Sequence, residues 1–128
     1  MAGVISIGTD LVKISRIESS WLRWGDRFSR KILHPNELQV FSEQQNSVSF
    51  LAKRFSAKEA VAKCLGTGLG GGVHFPLIEV TREAYGRPGV LLHGRSKEIF
   101  DRAGATQILL SLSDEKDYAL AFAVMSAD

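Results

Sequence analysis

A single cysteine, Cys64, stands in a chain of 128 residues, so no disulfide can form within it. One lone thiol suits a reducing compartment, and a cytoplasmic protein is the expectation. Long apolar runs are missing too: nothing approaches the ~20 residues of a membrane span. The opening MAGVISIGTD carries no basic leader and reaches Asp10 too early for a signal peptide. Strong charge of one sign is absent, since the net charge is +2 and the pI about 8.9, weak values for a nucleic-acid binder. There is no repeat, linker or low-complexity tract, so a single domain over residues 1–128 is expected. The three histidines, His34, His74 and His93, lie far apart with no ligand spacing and read as structural or exposed.

What charge there is lies unevenly. Residues 13–31 hold six basic side chains (Lys13, Arg16, Arg23, Arg27, Arg30, Lys31) against Glu18 and Asp26, giving +4 and leaving −2 for the rest. A basic face on a nearly neutral protein points to an acidic partner. Ser15-Arg16-Ile17-Glu18 matches a capping box that opens a helix to about Trp24. Ile17, Trp21, Trp24 and Phe28 recur at helical spacing as a core stripe. Arg16, Ser20, Arg23 and Arg27 form the neighbouring basic stripe if the helix survives Gly25.

The stretch FLAKRFSAKEAVAKCLGTGLGGG, residues 50–72, is the most informative. It reads as a helix over roughly 48–65, stopped by Gly66 and followed by a glycine-rich loop. Ala52, Ser56, Glu59 and Lys63 share one stripe. Arg54 and Lys58 project beside Phe50, Val61 and Leu65, where an amphipathic helix stays apolar. Charges there either form buried ion pairs or line a site. Cys64 lies on the apolar side and reads as a small core residue. The loop Thr67–Gly72 could present bare N–H groups to a phosphate, but it follows a helix and lacks the Gly-Lys-Ser/Thr of a P-loop.

Elsewhere, residues 4–7 suggest a short strand, with Asp10 just past its end. Pro35 stands at the first turn of a helix over 36–43 with Leu38 and Phe41 inward. Residues 75–81 and 89–92 read as partner strands about a Tyr85–Pro88 turn, 96–103 as a helix ended by Gly104, and 107–113 with 118–124 as a terminal hairpin.

Four blocks in order resemble the holo-acyl-carrier-protein synthases, the small 4′-phosphopantetheinyl transferases. They are Ile7-Gly8-Thr9-Asp10-Leu11-Val12 with Arg16-Ile17; Arg54-Phe55-Ser56-Ala57-Lys58-Glu59-Ala60 with Lys63; Gly66-Thr67-Gly68 with Phe75 and Ile78-Glu79-Val80; and Gly86-Arg87-Pro88 with Ser111-Leu112-Ser113 and Tyr118-Ala119. The resemblance implies an α+β fold, a small and mainly antiparallel sheet packed on one long helix. It implies transfer of the phosphopantetheine arm of coenzyme A to a serine of acyl carrier protein.

It assigns Mg²⁺ to Asp10 and Glu59, a phosphate role to Lys63, and coenzyme A contacts to Arg54, Lys58, Lys63, Gly66, Gly68 and Pro88. Arg16, Arg23 and Arg27 are expected to dock the acidic carrier protein. A homotrimer with its sites between subunits is implied, with no membrane or nucleic-acid partner. Lys13, Leu109 and Asp114 depart from the residues that many members carry, so no histidine contact to coenzyme A transfers. The alternative is a non-catalytic basic module that binds acyl carrier protein or nucleic acid.

Overall fold

The helix α4 (Val48–Cys64) passes through the centre of the chain and is buried on most of its circumference. Ser47 caps it, its hydroxyl accepting the Phe50 N–H at 3.3 Å. Eleven of its 17 residues are buried, so it serves as a core element and not as a surface amphipathic helix. In this computed structural model, which describes residues 3–128, the order is β1 (Gly3–Lys13), α1 (Ile14–Trp24), α2 (Asp26–Ile32), α3 (Pro35–Glu43) and α4. Then follow β2 (Ile78–Arg82), β3 (Pro88–Leu92), α5 (Gly94–Arg102), β4 (Gln107–Asp114) and β5 (Tyr118–Ala127). The architecture is α+β, with two antiparallel sheets where one was expected: β1-β5-β4, and a separate β2-β3 pair.

Small residues let the larger sheet approach α4 closely. Ala57 and Ala60 on the helix share a core with Ala121 and Ala123 on β5, joined by Val61, Leu65, Ile78, Val80 and Met125. Gly8 on β1 is required, because a Cβ there would strike the Ala60 carbonyl oxygen. A second core gathers Val12, Ile17, Ile32, Leu33, Phe41, Phe50 and Leu51 under α1, α2 and α3. Full burial of each large side chain contributes about 1.5–3 kcal/mol.

Several local expectations are revised. β1 does not stop at residue 7; it pairs with β5 from Gly3↔Ala127 to Lys13↔Tyr118, so Asp10 lies within the strand. The capping box at Ser15 does not form. The helix begins two residues earlier than that box implies, at Ile14 with Lys13 as its N-cap, and the Ile14 N–H is satisfied by the Asp117 carbonyl at 2.9 Å. Gly25, at φ 53° and ψ −131°, ends α1, so the aromatic stripe breaks there. Ile17 is buried and Trp21 packs on Phe41, but Trp24 is 48% exposed. Phe75–Leu77 forms a 3₁₀ turn ahead of β2 instead of its first residues.

The far face of the β1-β5-β4 sheet is uncovered. Residues of alternating parity point away from α4 there: Ile7, Leu11, Leu109, Leu120 and Phe122 are all exposed. No described helix is long and apolar enough to cross a membrane.

Candidate active site

β1 and α4 bring the strand carboxylate to the helix stripe. Asp10 is held by its own backbone, whose carbonyl accepts the Ser56 hydroxyl at 3.0 Å. Lys63 Nζ donates to the Thr9 carbonyl at 2.7 Å and lies 3.4 Å from Asp10 Oδ1. Lys63 is half exposed and Asp10 largely covered, so the ammonium faces solvent from above the carboxylate. Glu59 stands one turn before Lys63. Burial raises its carboxyl above the ordinary range, Asp10's charge adds to the rise, and Lys63 opposes it. Two carboxylates brought to one place suit a hard divalent cation, which takes carboxylate and phosphate oxygens. The donor set at Asp10 and Glu59 therefore fits Mg²⁺.

The loop after α4 begins at the end of the same stripe. Gly66 and Gly68, at φ 83° and 59°, adopt a conformation that a side chain would strain. Their N–H groups turn back onto the Lys63 and Ala62 carbonyls at 3.0 and 3.1 Å.

Arg54 and Pro88 come together elsewhere. They line one cleft with Phe50, Lys53, Arg82 and Asp114. Arg54 is 8% exposed, its guanidinium 4.6 Å from the Phe50 ring centre. At about 100° per residue, Arg54 and Lys63 project from opposite sides of α4. The sheet shows the same separation: Asp10 is on edge strand β1, and Asp114 is on β4 at the other side. One protomer thus carries two clusters of candidate residues that face apart.

Lys58 requires a correction. Its side chain is fully buried, and its ammonium is bonded to the Glu37 carboxylate and donates to the Phe75 carbonyl at 3.1 Å. It has no surface on which to meet coenzyme A. Its place is in a buried network: Arg54 Nε lies 3.8 Å from the other Glu37 oxygen, and the His34 N–H donates to Glu37 at 3.0 Å. Burial lowers both cations below their ordinary ranges, and Glu37 pulls them back up. The charges that seemed misplaced on α4 thus have their counter-ion within the chain. Glu37 was missed in sequence, although two cations in an apolar sector demand a buried anion.

Arg16, Arg23 and Arg27 are exposed on α1 and α2. Arg23 and Arg27 both lie over the Trp24 ring, at 4.9 and 5.6 Å from its centre, so the break at Gly25 leaves them together. Beside them opens a cleft lined by Ser20, Trp24, Arg27, Phe28 and Lys31.

The histidines also differ from expectation. His34 and His93 stack, with ring centres 4.8 Å apart, against the buried Glu79. A separation of 59 residues in sequence (93 − 34) hid that proximity; only His74 remains as a plainly exposed residue.

Comparison with known proteins agrees with this geometry. A family model described as the 4′-phosphopantetheinyl transferase superfamily matches residues 6–123. The holo-[acyl-carrier-protein] synthase of Serratia proteamaculans is 43% identical over 122 residues, covering 95% of this chain and 97% of the relative. Among solved structures, the holo-[acyl-carrier-protein] synthase of Neisseria meningitidis superposes with a TM-score of 0.89 at 40% identity, covering 96% of this chain and 98% of that one. The Helicobacter pylori enzyme, solved in complex with coenzyme A, gives 0.82 at 31% identity, over 94% of this chain and 99% of its own. Matched by the family model over residues 6–123 and by a relative 43% identical over 95% of its length, the chain belongs to the 4′-phosphopantetheinyl transferase superfamily.

Proposed function

We propose that this protein transfers the 4′-phosphopantetheine arm of coenzyme A to a serine of apo-acyl carrier protein, as a single-domain, magnesium-dependent homotrimer of the cytoplasm serving fatty acid synthesis. The observation that carries the reading is the Asp10, Glu59 and Lys63 group on β1 and α4, in a chain whose relatives are holo-acyl-carrier-protein synthases.

The serine oxygen forms a bond to the phosphorus that carries the pantetheine arm. The bridging bond to the second phosphate breaks, and adenosine 3′,5′-bisphosphate leaves with that electron pair. Glu59, in the same group as Asp10 and Lys63, accepts the serine proton as the general base. Lys63 turns from Asp10 to the phosphate oxygens and offsets the charge that grows on them. When bound at Asp10 and Glu59, magnesium would supply charge neutralisation and orientation of the pyrophosphate. Gly66 and Gly68 offer close backbone to the nucleotide, while Arg54 and Pro88 hold its 3′-phosphate and base. Arg16, Arg23 and Arg27 receive the acidic carrier protein, its serine directed towards Glu59.

Two observations support the trimer. The two clusters face opposite ways on one protomer, so a complete site needs the β4 side of one copy against the β1 side of another. Such a head-to-tail contact forms a ring where its rotation closes, and the trimer is the ring proposed here. The exposed apolar face formed by Ile7, Leu11, Leu109, Leu120 and Phe122 gives the copies something to bury.

Subunit mixing tests this. Asp10→Ala and Arg54→Ala proteins are each expected to be nearly inactive. Unfolded together and refolded, they should recover about a quarter of wild-type activity, because each mixed three-membered ring holds one junction with both halves intact. A mixture as inactive as its parents would place the whole site within one subunit.

A further inference from the structure

We propose that His34, Glu79 and His93 form a second metal site, one that takes a borderline transition ion such as zinc and staples the β2-β3 hairpin to the helical layer. It is separate from the Asp10 and Glu59 pair and does not depend on the transferase reading.

Each residue comes from a different part of the chain. His34 is the N-cap of α3, Glu79 sits in β2, and His93 closes β3 at the start of α5. One donor atom from each lies within 4.8 Å of the other two. Glu79 Oε1 is 2.9 Å from His93 Nε2 and 3.5 Å from His34 Nδ1. A tetrahedral zinc with bonds of about 2.0–2.2 Å sets its ligands roughly 3.3–3.5 Å apart, close to the two Glu79 separations, while the two histidines must rotate to meet it. The residues supply three ligands and leave a fourth position for water.

The hydrogen bonding leaves His34 in a form that can ligate. Its Nδ1 accepts the Asn36 N–H at 3.1 Å, so that nitrogen carries its single lone pair and no proton. An ion bound there takes that lone pair over from the Asn36 N–H and meets the charge of Glu79 Oε1, 3.5 Å from the nitrogen. Glu79 is 4% exposed, while His34 and His93 are partly open, which gives an ion a way in. Glu79's other oxygen is already oriented, accepting from Asn36 Nδ2 at 3.1 Å, as hydrogen bonds to a metal ligand commonly hold it in place. Ligation turns the two rings out of their stack by rotation about Cβ–Cγ, a torsion with broad wells.

Ligand chemistry separates the two sites. Imidazole nitrogen suits zinc, copper, nickel and iron, whereas carboxylates beside phosphate suit magnesium. A metal at Glu79 would also stiffen the coenzyme cleft. Glu79, Arg54, Thr81 and Arg82 line the adjoining cleft, and the last three continue into the one that contains Pro88.

The test uses untagged, chelator-treated protein with Asp10→Ala and Glu59→Ala to remove the other site, and Co²⁺ as the probe. One Co²⁺ per chain with visible d–d absorption is expected, displaced by an equivalent of Zn²⁺, with a Zn²⁺-dependent rise in melting temperature. His93→Gln keeps a polar side chain at this partly exposed position and removes the ligand; it should abolish the spectrum while far-UV dichroism stays unchanged. Asn36→Ala should weaken binding about 10–100-fold, the usual effect of losing an outer-shell partner. A wild-type site that binds no Co²⁺, or a spectrum unchanged in His93→Gln, overturns the proposal.

Discussion

Replacing Glu37 with glutamine removes the counter-ion of the buried network and little else. Glu37 is 2% exposed, bonded to the fully buried Lys58 and close to Arg54. Glutamine keeps an acceptor for the His34 N–H but withdraws the charge. Removing one partner of a buried ion pair costs about 3–5 kcal/mol. Lys58 itself sets a ceiling, because it can shed its proton instead of remaining charged. From an ordinary pKa of 10.5 down to pH 7, that costs about 4.8 kcal/mol at 1.36 kcal/mol per pH unit. The two figures agree, and they amount to a large share of the roughly 5–15 kcal/mol that holds a domain together.

The sign of the pH dependence is also fixed. With Lys58 neutral in the folded variant and charged in the unfolded chain, the unfolded state binds more protons. Stability then rises with pH, by at most ~1.36 kcal/mol per unit, until the lysine's unfolded pKa is passed. Wild type should show a shallower slope, because Glu37 opposes the downward pull of burial on Lys58. Urea unfolding at pH 7 and pH 9, at one protein concentration, measures both effects. A loss below about 1 kcal/mol with parallel pH dependence would refute the buried-pair account.

Asp10→Ala and Glu59→Ala should each leave a folded protein with under about a tenth of the wild-type rate, a barrier increase above ~1.4 kcal/mol, read in a steady-state assay. Lys63→Ala should lower kcat by about 10²–10³ and change KM for coenzyme A less, because its charge acts on the transition state. Reversal of Arg16 or Arg23 to glutamate should raise KM for acyl carrier protein and leave KM for coenzyme A nearly unchanged, with added salt acting in the same direction. Leu120→Glu, a charge on the open sheet face, should give monomers in sedimentation and lose activity with them.

Much of the frame was legible because local signals agree with it. The helix over 48–65, stopped by Gly66, is α4 ending at Cys64, and the alternation over 107–113 is β4. The stripe of Ser56, Glu59 and Lys63 holds because residues three and four apart stack on one helix face. Asp10's setting was less legible: β1 runs on to Lys13 because β5 pairs with it along that length, and Gly8 admits the α4 backbone at Ala60, 52 residues away. Lys58 shows the same limit from the other side. A lone lysine in an apolar sector has two readings, and only Glu37 on α3 selects between them. The stacked His34 and His93 left no periodic trace, since a fold can join two cap positions without marking either.

The central claim is tested most directly by incubating the purified protein with coenzyme A, apo-acyl carrier protein and Mg²⁺, and following the carrier by intact-mass spectrometry. The account predicts that the carrier gains one phosphopantetheinyl group on its serine, one adenosine 3′,5′-bisphosphate appears per transfer, and both cease in EDTA and in Asp10→Ala. A carrier that binds the folded protein yet never gains mass would contradict it and leave a basic docking module in its place.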